Sequence, residues 1–273
     1  MQFIVKSFNR FKMKFVRYLV VAIIVLQCVL SNPVPYYKPL TLEEAERLAS
    51  WTPASKTPMW QLSGQYEGDM IIHPGIKNGV IDTNLRWPNR EIPYEFSNDF
   101  TAQERQFIAN SLAMEYARTC IRIRPRKSTD YDYVYITGNN TGCWSMVGRS
   151  GGRQELNLQR NGCLWYGTIA HEFLHAAGFY HQQSAPERDD WVYIYWQNIQ
   201  PGQEHNFEKY PLSMVNSFGQ RYDYRSIMHY DKNAFSANGQ PTILPKDPNV
   251  SIGQSQRLSP IDIIKLNKMY NCI

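Results

Sequence analysis

The run His171-Glu172-Phe173-Leu174-His175-Ala176-Ala177-Gly178-Phe179-Tyr180-His181 places three imidazoles and one carboxylate at the spacing a catalytic zinc ion requires. Zinc takes nitrogen, oxygen or sulfur ligands in a tetrahedron, and a catalytic site draws three from protein and leaves the fourth to water. His171 and His175 are four residues apart, so on a helix they lie one turn above each other and grip the same ion. Glu172 follows the first ligand, where it reaches the water as general base. Gly178 suits a left-handed helix cap that turns the chain and returns His181 as the third ligand.

A site of this kind needs a helix to carry it, and the pattern predicts one over residues 167–177. Other elements are readable around it. Thr101-x-x-Glu104 opens a helix with Ile108, Leu112 and Tyr116 on one face. Residues 92–96, 121–123, 133–137, 143–147 and 155–158 read as strands, with a glycine-rich turn at 148–152. Ser259-Pro260 starts a last helix to about residue 269, with serine as N-cap and proline at the first helical position. Upstream, residues 32–77 are rich in proline and polar residues, with one short helix begun by Thr41-x-x-Glu44. That segment has too little apolar content for a core of its own and reads as a linker or pro-segment.

The formal charge of +5 arises from Lys6, Arg10, Lys12, Lys14 and Arg17, which precede an apolar run over residues 18–30 and then Ser31-Asn32-Pro33. A basic stretch, 13 apolar residues and a small-residue cleavage point form a signal peptide over residues 1–31. A membrane span needs about 20 apolar residues, so an uncleaved anchor is the weaker reading. Without those five charges the chain is balanced, which gives no electrostatic case for nucleic acid or an anionic membrane. Secretion sets the reading of the cysteines. Cys28 leaves with the signal, and Cys120, Cys143, Cys163 and Cys272 form an even set for an oxidising compartment, with three pairings open. Asn139-Asn140-Thr141 and Asn249-Val250-Ser251 are glycosylation acceptors that fit a secreted chain.

The extended zinc motif is of the metzincin type. Together with Ser226-Ile227-Met228-His229-Tyr230, Trp87-Pro88, Ile92-Pro93-Tyr94, Gly162-Cys163 and Arg188-Asp189, it resembles the astacin family of zinc endopeptidases over residues 80–272. The resemblance implies an α+β fold of two lobes about a cleft. A twisted, mostly parallel five-stranded sheet and long helices form the upper lobe, and the lower lobe is irregular. It implies one zinc ion on His171, His175 and His181, with Met228 in a methionine turn beneath the metal. Tyr230 is implied as a further zinc ligand that swings away to stabilise the oxyanion. The implied disulfides are Cys120–Cys272 and Cys143–Cys163, and the strand around residues 144–147 resembles a cleft edge that binds extended peptide. Tyr66-Glu67-Gly68-Asp69 resembles the family's F-x-G-D motif, in which Asp69 takes the catalytic water's place on zinc and holds a zymogen latent.

These readings divide the chain into a signal peptide (1–31), a pro-segment with an aspartate switch (32–77) and a protease domain (78–273), activated by a trypsin-like cut near Lys77-Asn78. The expected protein is a secreted, diffusible monomer that hydrolyses peptide bonds in proteins, with no nucleic-acid partner and no stable membrane association. Two positions depart from the family pattern. Gln182 stands where a glutamate usually meets the new N-terminus, and Ala185 stands where an arginine is usual. They are the support for a rival reading, a secreted zinc- or peptide-binding module without turnover, whereas the retained Glu172 speaks for the enzyme. A second rival keeps the chemistry and an uncleaved, membrane-tethered N-terminus.

Overall fold

The computed structural model describes residues 37–55, 57–72, 82–254 and 256–272. The expected signal peptide and the expected cut at Lys77-Asn78 lie outside the described residues. Tyr133–Thr137 (β4) alternates, with Val134 and Ile136 fully buried, and this strand forms the middle of the sheet. It pairs in parallel with Glu91–Phe96 (β2) on one side and Arg153–Leu158 (β6) on the other. Arg122–Pro125 (β3) extends β2 in parallel, and Cys143–Met146 (β5) joins β6 antiparallel.

The expected sheet had five strands; the observed one has six. The sixth, Met70–Ile71 (β1), comes from the N-terminal segment and pairs in parallel with β5, Met70 beside Ser145 and Ile71 beside Met146. The edge that β5 would otherwise leave open is thus covered by residues far upstream. The same segment is not a loose linker. Leu42–Ala49 (α1) carries the Thr41–Glu44 capping box, and Leu48, Met59 and Met70 are buried in the main apolar cluster. Each such burial contributes at most roughly 1.5–3 kcal/mol to holding the segment in place.

Ala102–Tyr116 (α2) starts at the Thr101–Glu104 capping box and buries Ile108, Leu112 and Tyr116 as its pattern predicts. It packs on Tyr166–Ala176 (α3), where the Tyr116 hydroxyl donates to the Ala170 carbonyl at 2.9 Å. α3 is buried on nearly all sides, so its last carbonyls cannot turn to water and need donors of their own. The Trp87 indole Nε1–H donates to Ala176 O at 2.7 Å, and the Tyr270 hydroxyl donates to Ala177 O at 2.9 Å. Tyr270 follows Pro260–Met269 (α4), which begins at a Ser259–Asp262 capping box. Disulfides join Cys120 to Cys272 and Cys143 to Cys163, the first tying the end of the chain to the turn after α2.

Between His181 and α4 the chain runs in short turns with one antiparallel strand pair, Val192–Ile194 (β7) with Ile243–Pro245 (β8). This irregular part has its own apolar cluster around Phe207, Tyr222, Phe235 and Ile243. Met228 belongs to the first cluster and Tyr230 to the second, so the two apolar bodies meet at that turn.

Replacing Trp87 with Phe removes the donor for Ala176 O while keeping an aromatic ring. The buried carbonyl left unpaired costs roughly 1–3 kcal/mol, which urea titration of the full chain, disulfides intact, reads as a lower midpoint.

Candidate metal centre

Helix α3 presents His171 and His175 from consecutive turns. It ends in a Schellman arrangement: Gly178 N–H donates to His175 O at 2.7 Å and Phe179 N–H donates to Leu174 O at 3.1 Å. Gly178 has φ 116°, a left-handed value that a side chain disfavours. This turn sends the chain back so that His181 faces the other two rings.

The tautomers follow from the partners. His171 Nδ1 lies 2.9 Å from Ile227 O, His175 Nδ1 lies 2.7 Å from Phe179 O, and His181 Nδ1 lies 2.8 Å from Glu67 Oε2. All three partners are acceptors, so each Nδ1 carries a proton and each ring turns its Nε2 inward, the atom that ligates a cation when it holds no proton. The Nε2 atoms of His171 and His181 stand 3.3 Å apart. The Asp69 carboxylate faces them: Oδ2 is 3.2 Å from His171 Nε2, and Oδ1 is 3.4 Å from His175 Nε2 and 3.3 Å from His181 Nε2. The four ligand atoms lie within 4.8 Å of one another.

Imidazole nitrogens and carboxylate oxygens crowded together repel unless positive charge, a proton or a cation, sits among them. Asp69 Oδ1 and Oδ2, His175 Nε2 and both Glu172 oxygens are buried with no hydrogen-bond partner among the described residues. Buried polar atoms are rarely left so, and three imidazole nitrogens with one carboxylate fit a single zinc ion. Burial opposes a charge on His181, but the carboxylates of Asp69 and Glu67 raise its pKa to about 9, so positive charge is favoured beside them, while burial lowers the pKa of His175 to about 4.

The two carboxyl groups beside the imidazoles are pushed apart. Burial disfavours the Asp69 anion, but the surrounding histidines hold its carboxyl well below the usual range. Burial pushes Glu172 well above that range, and the charge of Asp69 adds to the rise. One group is set up as an anionic ligand and the other as a proton holder.

The turn Ser226-Ile227-Met228 lies against His171. Asp262, at the start of α4, accepts from Ser226 Oγ at 2.6 Å and from Ile227 N–H at 3.0 Å, and Ile227 O in turn accepts from His171. Met228 is buried, and its carbonyl accepts from Gln182 N–H at 2.9 Å. The Tyr230 hydroxyl donates to the Glu67 carbonyl at 2.6 Å, and its ring stacks on Trp60 at 4.8 Å. A cleft of about 670 Å³ opens beside His171, Glu172 and Tyr230. The Gln182 side chain accepts from Lys265 Nζ at 2.7 Å, so a buried lysine occupies the amide that replaces the usual glutamate.

A family model described as Astacin, a peptidase family, matches residues 79–271. The chain belongs to the astacin family. It is 46% identical over 198 residues to zinc metalloproteinase nas-8 of Steinernema carpocapsae, covering 72% of this chain and 47% of that protein. It is also 46% identical to zinc metalloproteinase nas-14 of Caenorhabditis elegans, over 68% of this chain and 37% of that protein. This chain thus spans about half the length, or less, of these relatives. Among solved structures it is similar to high choriolytic enzyme 1, a hatching enzyme zinc-protease from medaka fish. That match has a TM-score of 0.64 and 41% identity, and covers 69% of this chain and 94% of that one. Astacin membership and the donor set agree on zinc as the cofactor.

The zinc motif marked the three histidines and Glu172, and the family resemblance marked Met228, Tyr230 and Asp69; the structure sets Asp69 against the three histidines, lines the adjoining cleft with Glu172 and Tyr230, and puts Met228 in the neighbouring turn. Sequence reasoning missed Glu67, Ser184 and Tyr210, a second buried cluster against His181, and it missed Asp262 behind Ile227. Only Glu67 left a trace in the sequence, as an acidic residue inside the Tyr66–Asp69 motif.

Gly178→Ala places a side chain at a left-handed φ and costs about 1–2 kcal/mol. Because the same turn supplies the Phe179 carbonyl to His175, this variant should both melt earlier and bind zinc more weakly. Calorimetry and chelator competition on one preparation test the pair of effects.

Proposed function

We propose that this chain is made as a secreted, latent zinc endopeptidase that hydrolyses peptide bonds in proteins once its N-terminal segment is cut near Lys77-Asn78. The observation that carries this reading is Asp69, whose carboxylate faces all three histidine Nε2 atoms at 3.2–3.4 Å while Glu172 lies buried and unpartnered in the same cleft. In this reading residues 1–31 are the signal peptide, 32–77 the pro-segment and 78–273 the protease domain.

His171, His175 and His181 would hold zinc, which when bound would supply Lewis acidity toward a substrate carbonyl and toward water. Glu172, with its raised affinity for protons, takes the proton from the attacking water and delivers it to the leaving amine. Tyr230, released from the Glu67 carbonyl, donates its hydroxyl to the oxyanion. Substrate lies as an extended strand on β5. The Ser145 and Val147 N–H groups there now donate to Asp69 O at 2.9 Å and Ile71 O at 3.3 Å, which supports a segment that blocks the substrate's own hydrogen bonds. Met228 floors the site. The disulfides and the exposed Asn139 and Asn249 are consistent with an oxidising, secretory route. The partners in this reading are protein substrates and a trypsin-like activator, and the enzyme acts as a monomer.

Trimming the full chain with trypsin should switch on casein hydrolysis that a chelator abolishes. Glu172→Ala, trimmed in the same way, should retain one zinc per chain and lose about 10²–10⁴-fold in turnover. Wild-type rates in that variant would remove Glu172 from the mechanism.

A further inference from the structure

We propose that Glu67 is a positioning residue that couples the metal to the N-terminal segment through His181, so that the untrimmed chain holds zinc more tightly than the trimmed one even apart from Asp69. The inference rests on the zinc reading above. His171 and His175 donate their Nδ1 protons to backbone carbonyls of residues 227 and 179. His181 alone donates to a carboxylate, and that carboxylate belongs to the segment the proposed cut removes. A carboxylate on the outer nitrogen raises the basicity of a ligating imidazole, and losing such a partner typically costs 10–100-fold in metal affinity.

The local backbone is shaped to deliver this side chain. Gln65–Gly68 is a tight turn, with Gly68 N–H donating to Gln65 O at 3.0 Å and Met70 N–H donating to Tyr66 O at 2.9 Å. Glu67 sits in it at φ 47°, where a glycine or asparagine would be easier. A glutamate there carries about 1–2 kcal/mol of backbone strain, offset by what its side chain meets. It is fully buried. Oε2 accepts from His181, and Oε1 accepts from Ser184 Oγ at 2.9 Å and Tyr210 OH at 2.7 Å. These three donors are held by contacts outside the segment. Tyr210 N–H donates to Ser184 O at 2.8 Å, the Tyr210 ring lies 4.7 Å from that of Tyr180, and Gln182 N–H donates to Met228 O.

Two carboxylates two residues apart therefore act on the site from different sides. Asp69 faces the imidazole Nε2 atoms where the metal would sit, whereas Glu67 reaches only the far nitrogen of one of those rings. The coupling is reciprocal: a cation on His181 Nε2 makes the Nδ1–H a stronger donor to Glu67, so zinc also fastens the segment.

The test is zinc affinity of the full chain by chelator competition, for wild type and Glu67→Gln, before and after trypsin trimming. Glutamine keeps the size and removes the charge. The variant should bind zinc about 10–100-fold more weakly in the full chain. After trimming, the two proteins are chemically identical and must converge, which isolates the effect to the segment. The visible spectrum of the cobalt-substituted full chain should shift as well. Equal full-chain affinities, within twofold, would overturn the proposal, whereas absence of stoichiometric zinc from both proteins would instead overturn the zinc reading. Should Glu67→Gln not fold, Tyr210→Phe serves in its place: a several-fold weaker affinity confined to the full chain supports the coupling, and no change there refutes it.

Discussion

Three imidazoles that turn their Nε2 atoms toward one place do not stay there unaided. Two of the nitrogens stand 3.3 Å apart, and a carboxylate closes on them from the opposite side. Much of the surrounding structure serves to hold this unfavourable arrangement ready for a cation. Each ring is fixed by a hydrogen bond at its outer nitrogen, and each acceptor comes from a different piece of chain. The Schellman turn after α3 supplies Phe179 O, the methionine turn supplies Ile227 O, and the N-terminal segment supplies Glu67.

Those acceptors are themselves anchored in depth. Ile227 is held by Asp262, whose helix is fastened near its end by the Cys120–Cys272 disulfide. The end of α3 is closed by the indole of Trp87 and the phenol of Tyr270, since a buried helix end has no water to satisfy its carbonyls.

The N-terminal segment enters this design as a structural member. It adds a strand to the sheet edge, places Trp60 against Tyr230, and contributes both carboxylates that face the histidines. A short polar stretch can do this because its few apolar residues, Leu48, Met59 and Met70, enter a core built by the rest of the chain. Read alone, it showed too little apolar content for a core of its own, which is correct and says nothing about docking on another surface.

What the sequence determined by itself was everything governed by near neighbours. The capping boxes at Thr41, Thr101 and Ser259 each form as spaced, because a cap involves residues three apart. The faces of α2 and β4 follow their periodicity. The histidine spacing, with Gly178, fixed the helix, the turn and the ligand set in one local run, which is why the chemistry was legible first. The disulfide pairing came through family resemblance, since spacing alone left three options. Only the tertiary structure decided the partners that lie far apart in the chain: Glu67 with His181, Trp87 with Ala176, Asp262 with Ile227, and β1 with β5. Their separations exceed any local periodicity, and each is chosen by which buried donor or acceptor is left wanting a partner once the core has closed.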